Sequence, residues 1–218
     1  DPTGFVAKAD ILRRAGRLTE GRASLAAMPS AGGADAQLGW YRQELAEGDF
    51  TAAVARALAL ASQGDVVADP WMHPSLLTAR ALWCAGRRTE ARGRFEDAER
   101  WTRERLREAP ENPRLLQALG FSLAGLGRPA EALAAGRRAV ELVPVGSDAV
   151  DGALALESLA AICIVAGDEA GAVEALKSLL AVPSPLSVRL LETDAAWSSL
   201  RDAGLLAGLR AVARDGAS

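Results

Sequence analysis

The chain has few of the residues from which catalytic and metal sites are commonly built. Its 218 residues include one histidine, two cysteines and one tyrosine. The single histidine, His73, excludes zinc sites with several histidine ligands and the HExxH motif. The sequence also has no GxxxxGK[ST] or GxGxxG phosphate-binding loop. We therefore predict that this segment has no enzymatic activity and needs no metal or cofactor.

The two cysteines predict a reducing environment. Cys84 and Cys163 lie far apart within helical patterns, so we expect free, buried thiols and a cytoplasmic protein. His73 and Cys84, eleven residues apart, would lie about 16 Å apart in one helix, too far for a nucleophile and its base.

Long apolar runs and an excess of positive charge are also missing. The most apolar stretch, 153–166, contains Glu157 and is too short to span a membrane. The net charge is −3, which argues against nucleic acid as the partner of this segment. No signal peptide is visible, and the chain begins at Asp1 without a methionine, so we expect a fragment of a larger protein.

What the chain does contain is a helix-forming composition. Half of the residues are apolar and 24% are charged, whereas aromatic residues make up only 5%. Alanine, leucine, arginine and glutamate dominate, and strand-favouring residues form no alternating runs. We therefore predict an all-α protein.

Residues 112–144 show how the helices are arranged. Leu116, Leu119, Gly120 and Leu123 share one helical face, and Gly127 then ends the first helix. A second helix begins near Pro129 and stops before Pro144. Gly120 and Ala132 have little or no side chain, so the two helices can approach closely there.

Similar hairpins recur along the chain. The turns read GRLTEGR, GDFTAAV, GRRTEAR, GRPAEAL and GDEAGAV, each with a small residue five places after the first glycine. Those glycines are Gly16, Gly48, Gly86, Gly127 and Gly167, and the small residues are Gly21, Ala53, Ala91, Ala132 and Ala172. One register in five turns predicts a repeat array. The alternative is an irregular helical bundle.

The pattern resembles the tetratricopeptide repeat (TPR), a helical hairpin of about 34 residues. The resemblance covers 2–183 and is strongest in the fourth hairpin. It implies a right-handed solenoid of five hairpins, at about 2–29, 34–64, 71–110, 113–144 and 149–183, within a single domain. In the second hairpin Glu44 falls on the packed face, so the register there could be shifted by one. The third hairpin has a long second helix, in which we expect Glu90–Arg94 and Glu99–Arg103 pairs.

The remaining residues, 184–218, are predicted to cap the open end of the array. They follow a Pro183-Ser184-Pro185 stop and include Leu190, Leu191, Asp194, Trp197, Leu200 and Arg201. This ending resembles the C-terminal TPR region of bacterial multidomain regulators. In those proteins the region follows winged-helix, Ser/Thr kinase or adenylate-cyclase-type domains, often with a TolB-like propeller. Ala195 and Ser199 stand where such proteins often have proline.

In TPR proteins the first helix of each hairpin lines a concave groove. Counting back from each turn glycine, we predict that its residues are Asp10, Arg13, Arg42, His73, Arg80, Trp83, Arg114, Gln117, Phe121, Glu157, Ala161 and Ile164. The partner-binding candidates among them are Arg42, Arg80, Trp83, Arg114, Gln117 and Phe121. Arginine and tryptophan are enriched at binding hot spots. The Lys and Asn positions of the carboxylate clamp in chaperone-binding TPR domains hold other residues, so a chaperone peptide is not expected.

Three functions remain open at this point. The leading hypothesis is a non-catalytic scaffold whose groove binds a protein or peptide with acidic or C-terminal groups. The second is a regulatory tail that dimerises or docks on another domain of a bacterial signalling enzyme or transcription regulator. The third is small-molecule sensing in the groove.

Overall fold

The computed structural model describes residues 2–29, 33–62, 69–182 and 186–215. In these ranges it is all-helical, as predicted, with thirteen α-helices and two short 3-10 turns, Pro70–Met72 and Ala195–Trp197. The helices are α1 (Pro2–Arg14), α2 (Leu18–Ala26), α3 (Ala34–Glu47), α4 (Phe50–Ala61), α5 (Pro74–Cys84), α6 (Arg88–Leu106), α7 (Pro113–Gly125), α8 (Pro129–Leu142), α9 (Asp151–Ala166), α10 (Glu169–Leu180), α11 (Val188–Thr193), α12 (Ser198–Asp202) and α13 (Leu206–Asp215). None of them has the length and apolar character needed to cross a membrane.

The first ten helices form five successive pairs, each joined at one of the predicted turn glycines. All five glycines are in the left-handed region, with φ between +70° and +80°. In each turn the residue after the glycine donates its N–H to a carbonyl five residues earlier, as Arg128 does to Leu123 at 3.0 Å. This hydrogen bond belongs to the Schellman motif, which ends a helix and satisfies its last carbonyls. The predicted turns are therefore confirmed.

Small residues lie where the paired helices cross. Ala53, Ala91, Ala132 and Ala172 have no exposed surface. A Cβ atom placed on Gly120 would lie 3.0 Å from the carbonyl oxygen of Ala132. This confirms the predicted close approach of α7 and α8.

Two expectations for charged residues change. Glu44 is buried, as the predicted register implies. Its carboxylate lies 3.2 Å from Arg56 Nε, so an ion pair explains the buried charge and no shift of register is needed. On α6 the Glu99–Arg103 pair forms at 2.7 Å, but Glu90 pairs with Arg87 instead of Arg94. Glu90 is in the first turn of α6, and Arg87 is the N-cap residue three positions before it. The two side chains therefore lie on the same side of the helix.

The C-terminal helices pack against α9 and α10 through a second apolar core, which includes Leu190, Leu191, Leu200 and Leu209. They also reach the first two hairpins, which the sequence did not indicate. Ser187 Oγ donates a hydrogen bond of 2.6 Å to the carbonyl of Arg14. We call residues 186–209 the closing segment. The Pro183-Ser184-Pro185 stop lies outside the described residues.

Both cysteines are free, as predicted. Burial raises the pKa of the Cys163 thiol to about 11, and it also raises the pKa of Cys84. The reactive thiolate is therefore disfavoured in the folded protein. We expect iodoacetamide at about pH 8 to modify neither cysteine until denaturant is added. Mass spectrometry over time would check this, and rapid native labelling of Cys163 would contradict its placement.

Candidate functional site: the concave surface and its rim

The first helices of the five pairs converge on one cavity of about 110 Å³, here called the central cavity. The predicted groove residues that line it are Arg13, Arg42, Arg80, Arg114, Glu157 and Ala161. These six of the twelve positions counted back from the turn glycines therefore share one surface. Their contact with a partner stays a prediction.

Most of the arginines on this surface have carboxylate partners inside the protein. Arg42 Nη1 lies 2.8 Å from Asp10. Arg114 pairs with Asp69, and its other terminal nitrogen donates to Gln117 Oε1 at 3.1 Å. Since these pairs engage part of the guanidinium of Arg42 and of Arg114, the two arginines also hold hairpins and loops together.

Arg80 differs from the other arginines of the central cavity. Within the described ranges it makes no hydrogen bond or ion pair, and its Cζ lies 5.8 Å from the ring centre of Phe121. A guanidinium near an aromatic ring keeps N–H donors for a further acceptor. Arg80 is thus the cation that this surface offers for binding.

Two predicted binding residues belong to the packed layer beneath the surface. Gln117 has no exposed area and accepts a hydrogen bond of 3.0 Å from Ser158. Phe121 is 3% exposed and makes an edge-to-face contact with Trp71 at 5.2 Å. Because both side chains are buried, Gln117 can hold Arg114 in position and Phe121 can hold Arg80. His73 lies against Trp101, with 4.2 Å between the ring centres, and precedes Pro74 at the start of α5.

Trp83 lies between the concave surface and the turns at its edge. With Arg80, Ile164 and Trp197 it lines a small cavity of about 40 Å³. On the other side it lines a wider groove of about 560 Å³, here called the rim groove. The rim groove contains Trp83, Arg88, Thr89, Arg92, Ala124, Gly125, Leu126, Gly127, Pro129, Val165 and Ala166.

The rim groove is cationic and partly apolar. Arg88 Cζ lies 3.5 Å from the ring centre of Trp83, and its guanidinium donates to the Trp83 carbonyl. Arg92 pairs with Glu96 at 3.2 Å, but both side chains are more than half exposed, so the pair contributes little. Among the described residues no carboxylate lines this groove. It is suited to bind an anionic group beside an apolar one.

The closing segment supplies two residues that the groove prediction missed. Asp194 and Trp197 both line the central cavity, and an Asp194 oxygen lies 3.8 Å from Arg13 Nη1. Burial raises the pKa of Asp194, while the Ala196 N–H, Arg13 and Arg80 act in the opposite direction. The sequence carried no signal for this contact, because the two residues sit in a tail that the repeat pattern does not cover.

Within the described part of the chain, no group of three or more His, Cys, Asp or Glu side chains is placed to hold a metal ion. The surfaces offer cations, aromatic rings and a serine hydroxyl, which bind by charge, stacking and hydrogen bonding. Comparison with models of known protein families gives no match, and no curated protein is significantly similar to the chain.

Proposed function

We propose that this chain is a non-catalytic protein-interaction scaffold of the tetratricopeptide-repeat type, which binds an acidic segment of a partner protein in its rim groove. The observation that carries the proposal is the composition of that groove. Arg88 and Arg92 line it together with the indole of Trp83 and several apolar side chains, and none of the described residues that line it is a carboxylate. An acidic side chain and a neighbouring apolar side chain would complement it.

The regular pairing supports the repeat type. The same hydrogen-bonded glycine turn occurs five times, with a buried small residue five places later. The proposal includes a bacterial signalling protein in the cytoplasm as the setting, because the C-terminal residues resemble such proteins and both cysteines are free. Within that setting, the chain would serve as a docking module.

The residues proposed here to anchor the partner lie in the rim groove, whereas most of those predicted from the sequence lie on the concave surface. Arg42 and Arg114 were predicted to hold the partner, yet both have internal carboxylate partners. Reversing their charge would break hairpin contacts as well as any binding contact. Trp83, Arg88 and Arg92 are better probes, because the indole is only partly buried and both arginines are exposed.

The test is affinity capture from a bacterial lysate with three forms of the protein. The rim variant is Arg88→Glu/Arg92→Glu, and the control is Arg100→Glu/Arg107→Glu, which makes the same charge change at exposed sites nearer the end of α6. We expect proteins held by the wild type and the control to fall by about tenfold or more on the rim variant, since two charge-assisted contacts are lost.

Quantitative mass spectrometry would read the capture, and circular dichroism would confirm that all three proteins keep their helices. Equal capture by the rim variant and the wild type would refute the rim groove as the site. If none of the three captured a specific protein, the scaffold proposal itself would be contradicted.

A further inference from the structure

The two ends of the array meet at the central cavity. Arg14 Nη1 on α1 lies 3.2 Å from Glu157 on α9, which joins the first hairpin to the fifth. The closing segment adds the Ser187 bond to the Arg14 carbonyl and the Asp194 contact with Arg13. Among the described residues these contacts cross the concave side, and the volume of about 110 Å³ suits a small occupant.

Among the described residues around the central cavity, one arginine has no carboxylate within ion-pair distance. Five arginines line the cavity, and four of them lie within ion-pair distance of a carboxylate. Those carboxylates are Asp10, Asp69, Glu157 and Asp194. Arg80 is the fifth arginine, and it has no such partner among the described residues. A ligand with one negative charge would balance it.

Two further donors at or beside the cavity have no acceptor within the described protein. Arg13 Nε is buried without a hydrogen-bond partner, and so is Gln117 Nε2, which belongs to the side chain that binds Arg114 and Ser158. A buried donor without an acceptor costs about 1–3 kcal/mol. Both groups therefore favour an occupant that carries acceptor oxygens.

We propose that the central cavity binds a small organic carboxylate, with its carboxylate on Arg80 and its apolar part against the aromatic walls. Tyr41, Trp71 and Trp197 form these walls. At roughly 10–15 Å³ for each water-sized position, 110 Å³ holds a ligand of about seven to eleven non-hydrogen atoms. Propanoate is slightly smaller than that range, and benzoate lies within it.

A monocarboxylate fits this charge pattern better than inorganic phosphate. Phosphate carries between one and two negative charges near neutral pH, and it has no apolar part for the aromatic walls. The carboxylates already facing the cavity would repel the second charge. Phosphate is therefore the comparison that separates a carboxylate site from a general anion site.

Isothermal titration calorimetry with propanoate and benzoate, each against its neutral amide, tests the proposal. For ligands of this size we expect a Kd of about 1 mM or below for the better acid, and binding at least about tenfold weaker for its amide. Phosphate should also bind at least about tenfold more weakly than that acid. Tryptophan fluorescence gives a second readout, because Trp71 and Trp197 line the cavity.

Three substitutions complete the experiment. Arg80→Gln should weaken acid binding by about tenfold or more, since the charge is removed, whereas Arg80→Lys should retain part of it. Arg100→Gln, on the exposed face of α6, should leave it unchanged. No binding of either acid, equal binding of acid and amide, tighter binding of phosphate, or no effect of Arg80→Gln would each overturn the proposal.

This site is independent of the proposed partner-binding surface. Arg80 does not line the rim groove, and neither Arg88 nor Arg92 lines the central cavity. Loss of partner capture in the Arg88→Glu/Arg92→Glu variant thus tests only the scaffold. Loss of acid binding in Arg80→Gln tests only the carboxylate site.

Discussion

Replacing Trp197 with alanine is expected to lower the free energy of unfolding by about 3–5 kcal/mol. The indole is 3% exposed and belongs to the same apolar core as Leu191 and Leu200. It also lines both cavities on the concave side, where it faces Arg80 and Ala161. Its removal would therefore leave a void at the junction of the closing segment and the concave surface.

Urea unfolding followed by circular dichroism would measure this effect. Val150→Ala is the control, because Val150 is 71% exposed and its truncation should change stability by no more than about 0.5 kcal/mol. Trp197→Phe keeps part of the ring and should cost less than Trp197→Ala. A loss below about 1 kcal/mol for Trp197→Ala would show that the closing segment is not packed in solution.

The second large effect concerns the close approach of α7 and α8. Gly120→Ala should destabilise the protein by about 1–3 kcal/mol because the added methyl overpacks the contact. That methyl would lie 2.8 Å from Ile162 Cδ1 and 3.0 Å from the Ala132 carbonyl oxygen. The isoleucine could change its rotamer, but the carbonyl belongs to the backbone of α8, so the helices would have to separate.

Gly93→Ala provides a matched control with the opposite expected sign. Gly93 is an exposed residue within α6, and a Cβ atom there would have no neighbour within 4 Å. Alanine at such a site should stabilise the helix by about 0.5–1 kcal/mol. If both substitutions stabilised the protein in thermal or urea unfolding, the crossing at Gly120 would not be as tight as the structure has it.

The repeat pattern predicted the features that depend on local sequence. Gly16, Gly48, Gly86, Gly127 and Gly167 all adopt the left-handed turn conformation. Counting back six residues from Gly48 and Gly86 placed Arg42 and Arg80 on the same surface, because helical periodicity fixes which face a residue occupies. These inferences needed only the geometry of one helix and one turn.

Contacts between distant hairpins could not be predicted in this way. Arg14 and Glu157 are separated by 143 positions, and Ser187 and Arg14 by 173. Their meeting depends on the curvature that accumulates over five helix pairs, and no residue pattern reports it. For the same reason the sequence predicted that Arg42 and Arg114 bind a partner, whereas in the structure they form ion pairs with Asp10 and Asp69.

The closing segment folds across the concave side to the first hairpins, and this placement can be tested directly. Gly48 and Ala195 give a direct probe, because a Cβ atom on Gly48 would lie 3.4 Å from the Cβ of Ala195. Disulfide-bonded cysteines have Cβ atoms about 3.5–4.5 Å apart, so the pair is close to bonding geometry. The background would carry Cys84→Ser and Cys163→Ala.

In that background, Gly48→Cys/Ala195→Cys is compared with Gly86→Cys/Ala195→Cys. Gly86 has the same left-handed turn conformation as Gly48, so a cysteine causes similar backbone strain at either position. A Cβ atom on Gly86 would have no neighbour within 4 Å, so the Gly86 pair lacks the close contact that the Gly48 pair has. The measurement is the fraction of folded monomer that forms an intramolecular disulfide under mild oxidation, read by mass spectrometry. From this placement of the closing segment we expect near-complete formation for the Gly48 pair and a much lower yield for the Gly86 pair. Free thiols in a folded Gly48 pair would contradict this placement.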